Sequence, residues 1–236
     1  MPKLGVYCMS YNRADKILTN NVVEYCTYVV RKSEEGKYRA AGISNLIAVE
    51  DEKIDSGIKA LEWIIYNTPE DIVAILDDDI KNFVYRSKRA EPIDDPELVS
   101  MEIERLAQIL YDLNLGFLTT DATPRPYGYD QPFTFNGASG AFRIFNKAIY
   151  KAKRDHNIPY NSDLDCILQE LAYNRVILNP KYFCAAAQID TNKGGMTDSK
   201  TRRAQLDSIA SLQLKWGPKY FRYDFVRNTP HILVKR

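Results

Sequence analysis

The feature that most constrains this chain is a short apolar run ending in three adjacent carboxylates, Ile72-Val73-Ala74-Ile75-Leu76 followed by Asp77-Asp78-Asp79. A continuous apolar run of this length reads as a buried strand. Charge has no place inside such a strand, so the triplet marks the point where the chain leaves the sheet. Neighbouring carboxylates repel one another, and sequestering them unpaired is costly. A positive partner belongs there. Hard oxygen ligands suit Mg²⁺ or Mn²⁺, and Mg²⁺ is commonly held by one or two carboxylates together with substrate phosphates. One reading is a divalent cation holding a diphosphate at a strand end; the other is an acidic turn that merely caps the strand.

The segments around this strand predict an α/β domain. Strands are expected over residues 4–9, 26–31 and 45–49. Asp55 offers an N-cap for a helix with Ile58, Leu61, Ile64 and Ile65 on one face, and Pro69 closes that region. Strand–helix alternation with buried strands is the signature of the class. Open α/β sheets bind ligands at the carboxyl ends of their strands. That rule puts residues 10–13 (Ser10-Tyr11-Asn12-Arg13) and residues 77–79 on one rim. The sequence holds neither a GxGxxG nor a Walker A lysine, so a dinucleotide fold and a P-loop are not indicated. GxSxG and HExxH are also absent, against the common hydrolase classes.

Asp95-Pro96 opens a second helix with Leu98, Met101, Leu106, Ile109, Leu110 and Leu113 on its apolar face. A strand follows at residues 116–120, then a loop over residues 121–140 rich in Pro, Gly, Tyr and Phe. Its aromatics, Tyr127, Tyr129, Phe133 and Phe135, have two readings, stacking on a base or sugar and packing under the loop. Beyond a strand at residues 140–145, Lys147, Lys151, Lys153, Arg154 and His156 form a basic stretch expected to be helical. Asp163 and Asp165 stand at the start of a further helix. Two residues apart, they do not share a helix face, so one is read as a cap and the other as a site residue. Late strands are expected over residues 176–178 and 183–189. In Lys193-Gly194-Gly195, with Arg202 beyond, the glycines let backbone N–H groups approach an anion ahead of a helix N-terminus. That helix carries Leu206, Ile209, Leu212 and Trp216 and stops at Gly217-Pro218. His231 is either a metal ligand or a packing residue.

At 236 residues, the length fits one domain with an appendage. No apolar run is long enough for a membrane-spanning helix, and the first residues lack a signal-peptide core. The four cysteines, Cys8, Cys26, Cys166 and Cys184, sit in apolar contexts and read as reduced core thiols of a cytoplasmic protein. The net charge is only +1, but residues 50–104 carry 16 acids against 6 Lys/Arg, and residues 193–236 carry 10 Lys/Arg against 3 acids. The second segment either binds a polyanion or neutralises the first across the fold.

Together these residues resemble a GT-A glycosyltransferase, with Asp77-Asp78-Asp79 in the place of the D-x-D motif. Ser10-Tyr11-Asn12-Arg13-Ala14-Asp15, Ile54-Asp55-Ser56-Gly57-Ile58 ahead of Trp63-Ile64, and Leu76-Asp77-Asp78-Asp79-Ile80-Lys81-Asn82-Phe83 resemble the TET-associated, phage-type DNA-base glycosyltransferases. Residues 161–165 and the Lys193-Gly194-Gly195 segment with Arg202 are similar to later parts of that group, whereas residues 86–160 match only in patches. The resemblance implies a Rossmann-like mixed sheet with flanking helices, a nucleotide-sugar half over residues 1–90 and an acceptor half over residues 91–236. It implies a Mn²⁺- or Mg²⁺-dependent transfer of sugar from a nucleoside-diphosphate donor to a hydroxyl, here that of a hydroxymethylated pyrimidine in DNA. A carbohydrate or lipid-linked acceptor and a non-catalytic nucleotide-sugar or DNA-binding module are the alternatives. Neither a membrane nor an obligate protein partner is implied. Asp79 is then the first metal ligand, with Asp77 as ribose or metal contact and Asp78 the acid most easily spared; His231 is a further metal candidate. Ser10, Arg13, Lys16, Gly57, Lys59, Asp77, Asp78, Lys193, Gly194, Gly195 and Arg202 are expected at the donor. Asp165 is the first choice for general base and Asp163 the second.

Overall fold

Strand β4 (Ile72–Asp77) shows why this chain forms a layered fold, because both of its faces are apolar. Ile72, Ala74 and Leu76 point to one side and Val73 and Ile75 to the other, as the two-residue strand period requires. Each face therefore has to be covered by helices. The computed structural model describes residues 2–86, 89–125, 131–137, 139–188 and 201–235.

The chain runs β1 (Leu4–Met9), β2 (Thr27–Arg31), α1 (Glu35–Ala40), β3 (Leu46–Val49), α2 (Gly57–Asn67), β4, β5 (Ile80–Arg86), β6 (Ala90–Ile93) and α3 (Pro96–Asp112). It continues through β7 (Phe117–Thr119), β8 (Phe133–Thr134), β9 (Phe142–Asn146), α4 (Ser162–Tyr173), β10 (Asn179–Pro180), β11 (Phe183–Ala187), α5 (Arg202–Trp216), β12 (Phe221–Asp224) and β13 (Thr229–Ile232). The central sheet has the order β3-β2-β1-β4-β9-β7. Its first four strands are parallel and β9 is antiparallel to both neighbours. Residues from both halves of the chain thus build one sheet, with β4 hydrogen-bonded to β9. A second, antiparallel sheet, β11-β5-β6, springs from the end of β4. Pro92 lies in β6, an edge strand where a missing N–H costs no ladder bond.

Helix α3 covers one face of the central sheet through Val99, Ile103, Leu106 and Leu110. Helices α2, α4 and α5 cover the other through residues such as Leu61, Ile64, Ile167, Leu168, Ile209 and Leu212. Helix α3 starts as the sequence predicts: Asp95 caps the N–H groups of Glu97 and Leu98, and Pro96 takes the first turn. At α2 the cap is Ser56, whose Oγ accepts from Lys59 N at 3.3 Å, and not Asp55, which pairs with Lys59 Nζ instead. Gly217 ends α5 at φ 71°, a left-handed value that glycine adopts without strain. All four cysteines are buried free thiols, as expected. Among the described residues no helix is long and apolar enough to cross a membrane.

The basic stretch 147–154 is not helical, contrary to expectation. The N–H groups of Lys151 and Ala152 both donate to Glu170 Oε1 at 2.7 Å, and Gln169 brackets Lys153 through Lys153 N and O. Side chains of α4 thereby satisfy backbone groups that a helix would have paired internally.

Arg86, at the far end of β5, is only 1% exposed and meets Asp121 Oδ2 at 2.6 Å and Arg125 O at 2.8 Å. Removing one partner of a buried pair strands the other charge. Asp121→Ala is therefore expected to lower unfolding stability in a denaturant titration by about 3–5 kcal/mol; a change below about 1 kcal/mol would mean that Arg86 finds another counter-charge.

Candidate active site

The parallel strands β1 and β4 lie side by side; after β1 the chain continues to β2 on one side, and after β4 it returns to the sheet on the other side, at β7 and then β9. Such a switch point opens a crevice at the strands' carboxyl ends. The loop after β1 and the acid triplet meet there. Ser10 Oγ donates to Asp78 Oδ2 at 2.5 Å and shares a 2.7 Å hydrogen bond with the buried Tyr38 hydroxyl. Arg13 Nη1 reaches Asp78 Oδ1 at 2.8 Å and Asp79 Oδ2 at 3.4 Å. Asn12, between them, takes φ 53°, a conformation that asparagine tolerates, and its N–H donates to Glu34 Oε1 at 3.0 Å.

The three acids play different parts. Asp78 is the most firmly held, buried beneath the Ser10 and Arg13 contacts. Asp78, expected to be the acid most easily spared, is the one that ties the β1 loop to the end of β4. Asp77 is faced by Arg143 Nη2 at 3.2 Å from β9 and keeps 31% of its side chain exposed. The surrounding protein and the charges of Asp78 and Asp163 push its carboxyl up, against the pull of Arg143. Asp79 is 9% exposed, and burial together with Asp77 and Asp78 pushes its carboxyl up to about 6 despite Arg13. Thr19 locks the turn between β4 and β5, its Oγ1 donating to Asp77 O at 2.6 Å and accepting from Ile80 N at 3.2 Å.

Asp163, half-buried in the first turn of α4, is among the charges that push the Asp77 carboxyl up. Asp165 points elsewhere. It is wholly buried, with Trp216 Nε1 at 2.7 Å on one oxygen and Gln169 Nε2 at 2.7 Å and Lys215 Nζ at 2.9 Å on the other. A general base must present a free lone pair to its substrate. Asp165, expected first as general base, thus pins α5 onto α4, and Asp163 is the less buried of the two.

The remaining expected donor contacts divide by position. Lys16 is exposed on the β1 loop. Gly57 is the first residue of α2, and Lys59 pairs with Asp55 at 2.5 Å. Arg31, from the end of β2, links these regions, with its guanidinium 3.8 Å from the Tyr11 ring centroid and hydrogen bonds to Ile54 O and Asp55 O. Lys193, Gly194 and Gly195 lie outside the described residues. Strand β11 leads towards them and delivers Gln188, whose N–H donates to Asp79 O at 3.1 Å. Residues 126–130, with Tyr127 and Tyr129, also lie outside the described residues. Arg202 opens α5 as an exposed residue. His231 sits in β13 opposite Arg222, in the hairpin with β12.

Sequence reasoning missed Arg143, Tyr38, Glu34 and Arg31. Arg143 left a signal, a lone charge inside the apolar run Phe142-Arg143-Ile144-Phe145. Tyr38 left none, because its hydroxyl reaches Ser10 only through the folding of α1 beneath the β1 loop.

Among the described residues no group of three or more His, Cys, Asp or Glu side chains is arranged to hold a metal. Mg²⁺ is commonly held by one or two carboxylates together with phosphates, and Asp77 and Asp79 are carboxylates that this strand end presents. Burial and the crowding of the acids are both expressed in the raised Asp79 carboxyl.

No protein-family model matches the chain, and no curated protein sequence matches it. Its fold does match solved structures. Glucosyl-3-phosphoglycerate synthase from Mycobacterium tuberculosis, crystallised with Mn²⁺, UDP and glucosyl-3-phosphoglycerate, superposes with a TM-score of 0.55 at 13% identity, covering 98% of this chain and 87% of that one. The same enzyme with Mg²⁺ and UDP gives a TM-score of 0.54 at 13% identity, covering 99% and 89%. S. aureus TarS 1-349 gives 0.49 at 12% identity, covering 78% of this chain, which spans 60% of the TarS chain. Sheet order, flanking helices and superposition over nearly the whole chain agree: this protein has the GT-A glycosyltransferase fold.

Proposed function

We propose that this chain is a metal-dependent glycosyltransferase that moves a sugar from a nucleoside-diphosphate donor to a hydroxyl acceptor. The observation that carries the reading is the meeting of Ser10, Arg13 and the acid triplet at the β1/β4 switch point, with one carboxyl pushed up to about 6. Asp79, with Asp77, would hold Mn²⁺ or Mg²⁺. When bound, that ion supplies positive charge to the leaving diphosphate oxygens. Ser10 and Arg13 hold Asp78, and through it the loop that forms one wall of the donor crevice. Lys193, Gly194, Gly195 and Arg202 are assigned to the diphosphate, and Lys16, Gly57 and Lys59 to the nucleoside side of the rim. Asp163, at the rim, takes the acceptor hydroxyl's proton.

The acceptor we assign first is a hydroxymethylated pyrimidine in DNA, on the sequence resemblance and on the excess of 10 Lys/Arg over 3 acids in residues 193–236. Such a base has to leave the helical stack to be reached. A carbohydrate acceptor is the second reading, favoured by a specific observation. Lys147 Nζ donates to Thr68 O at 2.6 Å and Arg154 Nη1 to Ser162 Oγ at 2.8 Å, so these two cations are engaged within the fold.

The test is incubation with Mn²⁺ and a panel of nucleotide-sugars, with and without hydroxymethylated DNA, following mass gain on the nucleoside. Product is expected with DNA present and none in EDTA; full turnover in EDTA would remove the metal from the account. Acceptor affinity that falls steeply with salt fits DNA, and salt-insensitive transfer to a saccharide replaces it with the second reading.

A further inference from the structure

Two exposed patches of opposite charge stand on opposite faces of the central sheet. The first is the outer face of α3. Leu98 and Met101, one helical turn apart, are both exposed, Met101 at 59%. The exposed Tyr25 lies against the same turns of the helix. Its hydroxyl donates to Glu104 Oε1 at 2.5 Å, and the neighbouring Glu24 N donates to Ser100 Oγ at 3.0 Å. Glu24, Glu97 and Glu104 are exposed carboxylates beside these three apolar side chains. Arg105, the one Lys or Arg between residues 91 and 112, is paired with Glu102.

The second patch is the tip of the β12/β13 hairpin. Phe225 is 64% exposed there and Val226 96%. The turn has a fixed shape: Asp224 Oδ1 accepts from Val226 N and Arg227 N, both at 3.0 Å, and the Tyr223 hydroxyl donates to Asn228 Oδ1 at 2.5 Å. Phe225 also packs edge-on against the Tyr223 ring. Arg222 and Arg227 are exposed on the hairpin, and Lys219 just before it. Asp224 is the one acid in residues 217–236, and its carboxylate is engaged in the turn.

Helix α3 belongs to the core on one side of the sheet, whereas Phe221 and Tyr223 of the hairpin belong to the core on the other. One molecule therefore cannot bring its own two patches together. Each patch has an apolar centre and a charged border, and the two borders are opposite in sign. A membrane surface or a nucleic acid would be repelled by the α3 face and would use the tip alone, whereas a second copy of this chain uses both.

We infer that the α3 face of one molecule receives the hairpin tip of another, a head-to-tail contact between copies of this chain. Phe225 and Val226 meet Leu98, Met101 and Tyr25, and Arg222 and Arg227 meet Glu24, Glu97 and Glu104. A dimer made this way keeps one free patch of each kind, so it extends into a filament or closes into a ring. Apolar centres of two and three side chains make the contact a weak, reversible one. It does not depend on glycosyl transfer.

Sedimentation velocity and light scattering on the full chain test it across protein concentration and salt. The parent is expected to associate reversibly as concentration rises. It is expected to return to monomer near ~1 M salt, where charges are screened beyond about 3 Å. Met101→Lys is expected to weaken self-association at least about tenfold, and so is the double variant Val226→Ser with Arg227→Ser. All three positions are exposed, so melting curves are expected to match the parent's. Each variant keeps one patch intact. Mixed in equal amounts, the two are expected to form a dimer of one variant with the other that grows no further. The inference is overturned if the parent stays monomeric at every concentration, or if its association is unchanged by salt. It is also overturned if the mixture associates no more than either variant alone, or if a monomeric parent uses the tip to bind duplex DNA or anionic vesicles.

Discussion

Asp79→Ala is expected to lower sugar transfer by at least about a hundredfold while leaving the chain folded. The loss follows from removing the first ligand we propose for the cation that would offset charge on the leaving diphosphate. The retained fold follows from electrostatics. An aspartate in the unfolded chain gives up its proton near ~3.9, whereas burial and the charges of Asp77 and Asp78 make Asp79 keep its proton up to about 6. Between those values the folded state binds more protons than the unfolded one, so in metal-free buffer stability falls as pH rises through this window. The full cost, about 2–3 kcal/mol, is present above pH ~6 and absent below pH ~4. Asp79→Asn should thus gain stability at pH 8 in EDTA and gain nothing at acid pH. Denaturant titrations at the two pH values check this; an equal effect at both would show that the carboxyl carries no such penalty.

The second large effect separates the two aspartates of α4. Asp165→Ala is expected to cost about 2–4 kcal/mol, because it leaves Trp216 Nε1 and Lys215 without the acceptor that fixes α5 to α4. Asp163→Ala is expected to leave stability within about 0.5 kcal/mol and to reduce turnover by about 10²–10⁴-fold. Denaturation and kinetics on both variants read the contrast. A stable Asp165→Ala protein that has lost its activity would return the base to Asp165.

The parts of this fold that depend on local chemistry were legible in the sequence. The buried strands, the Asp95-Pro96 helix start and the meeting of residues 10–13 with the acid triplet follow from periodicity, capping and the rule for strand ends. What escaped depends on contacts distant along the chain. The 147–154 segment has helical composition, but Glu170 and Gln169 claim its N–H groups. Asp163 and Asp165 are alike on paper, and only the position of Trp216 and Lys215 on another helix tells them apart. Asp78 reads as dispensable because nothing near it in sequence shows that Ser10 and Arg13 close onto it from 68 and 65 residues away. The antiparallel β9 and the β11-β5-β6 sheet likewise arise from pairings between remote segments. The missed Arg143 is a case where the signal was present, since an arginine in an apolar strand demands a counter-charge, here Asp77.

The most direct test of the central claim needs no knowledge of the acceptor. It is a calorimetric titration of UDP and GDP into the protein with Mn²⁺ and again with EDTA, repeated on Asp79→Ala. At least one nucleotide is expected to bind with the metal present, to lose that binding in EDTA, and to bind the variant no better with Mn²⁺ than without it. Binding of neither nucleotide in the presence of Mn²⁺, or metal-dependent binding that survives Asp79→Ala, would contradict a diphosphate and cation site at the end of β4.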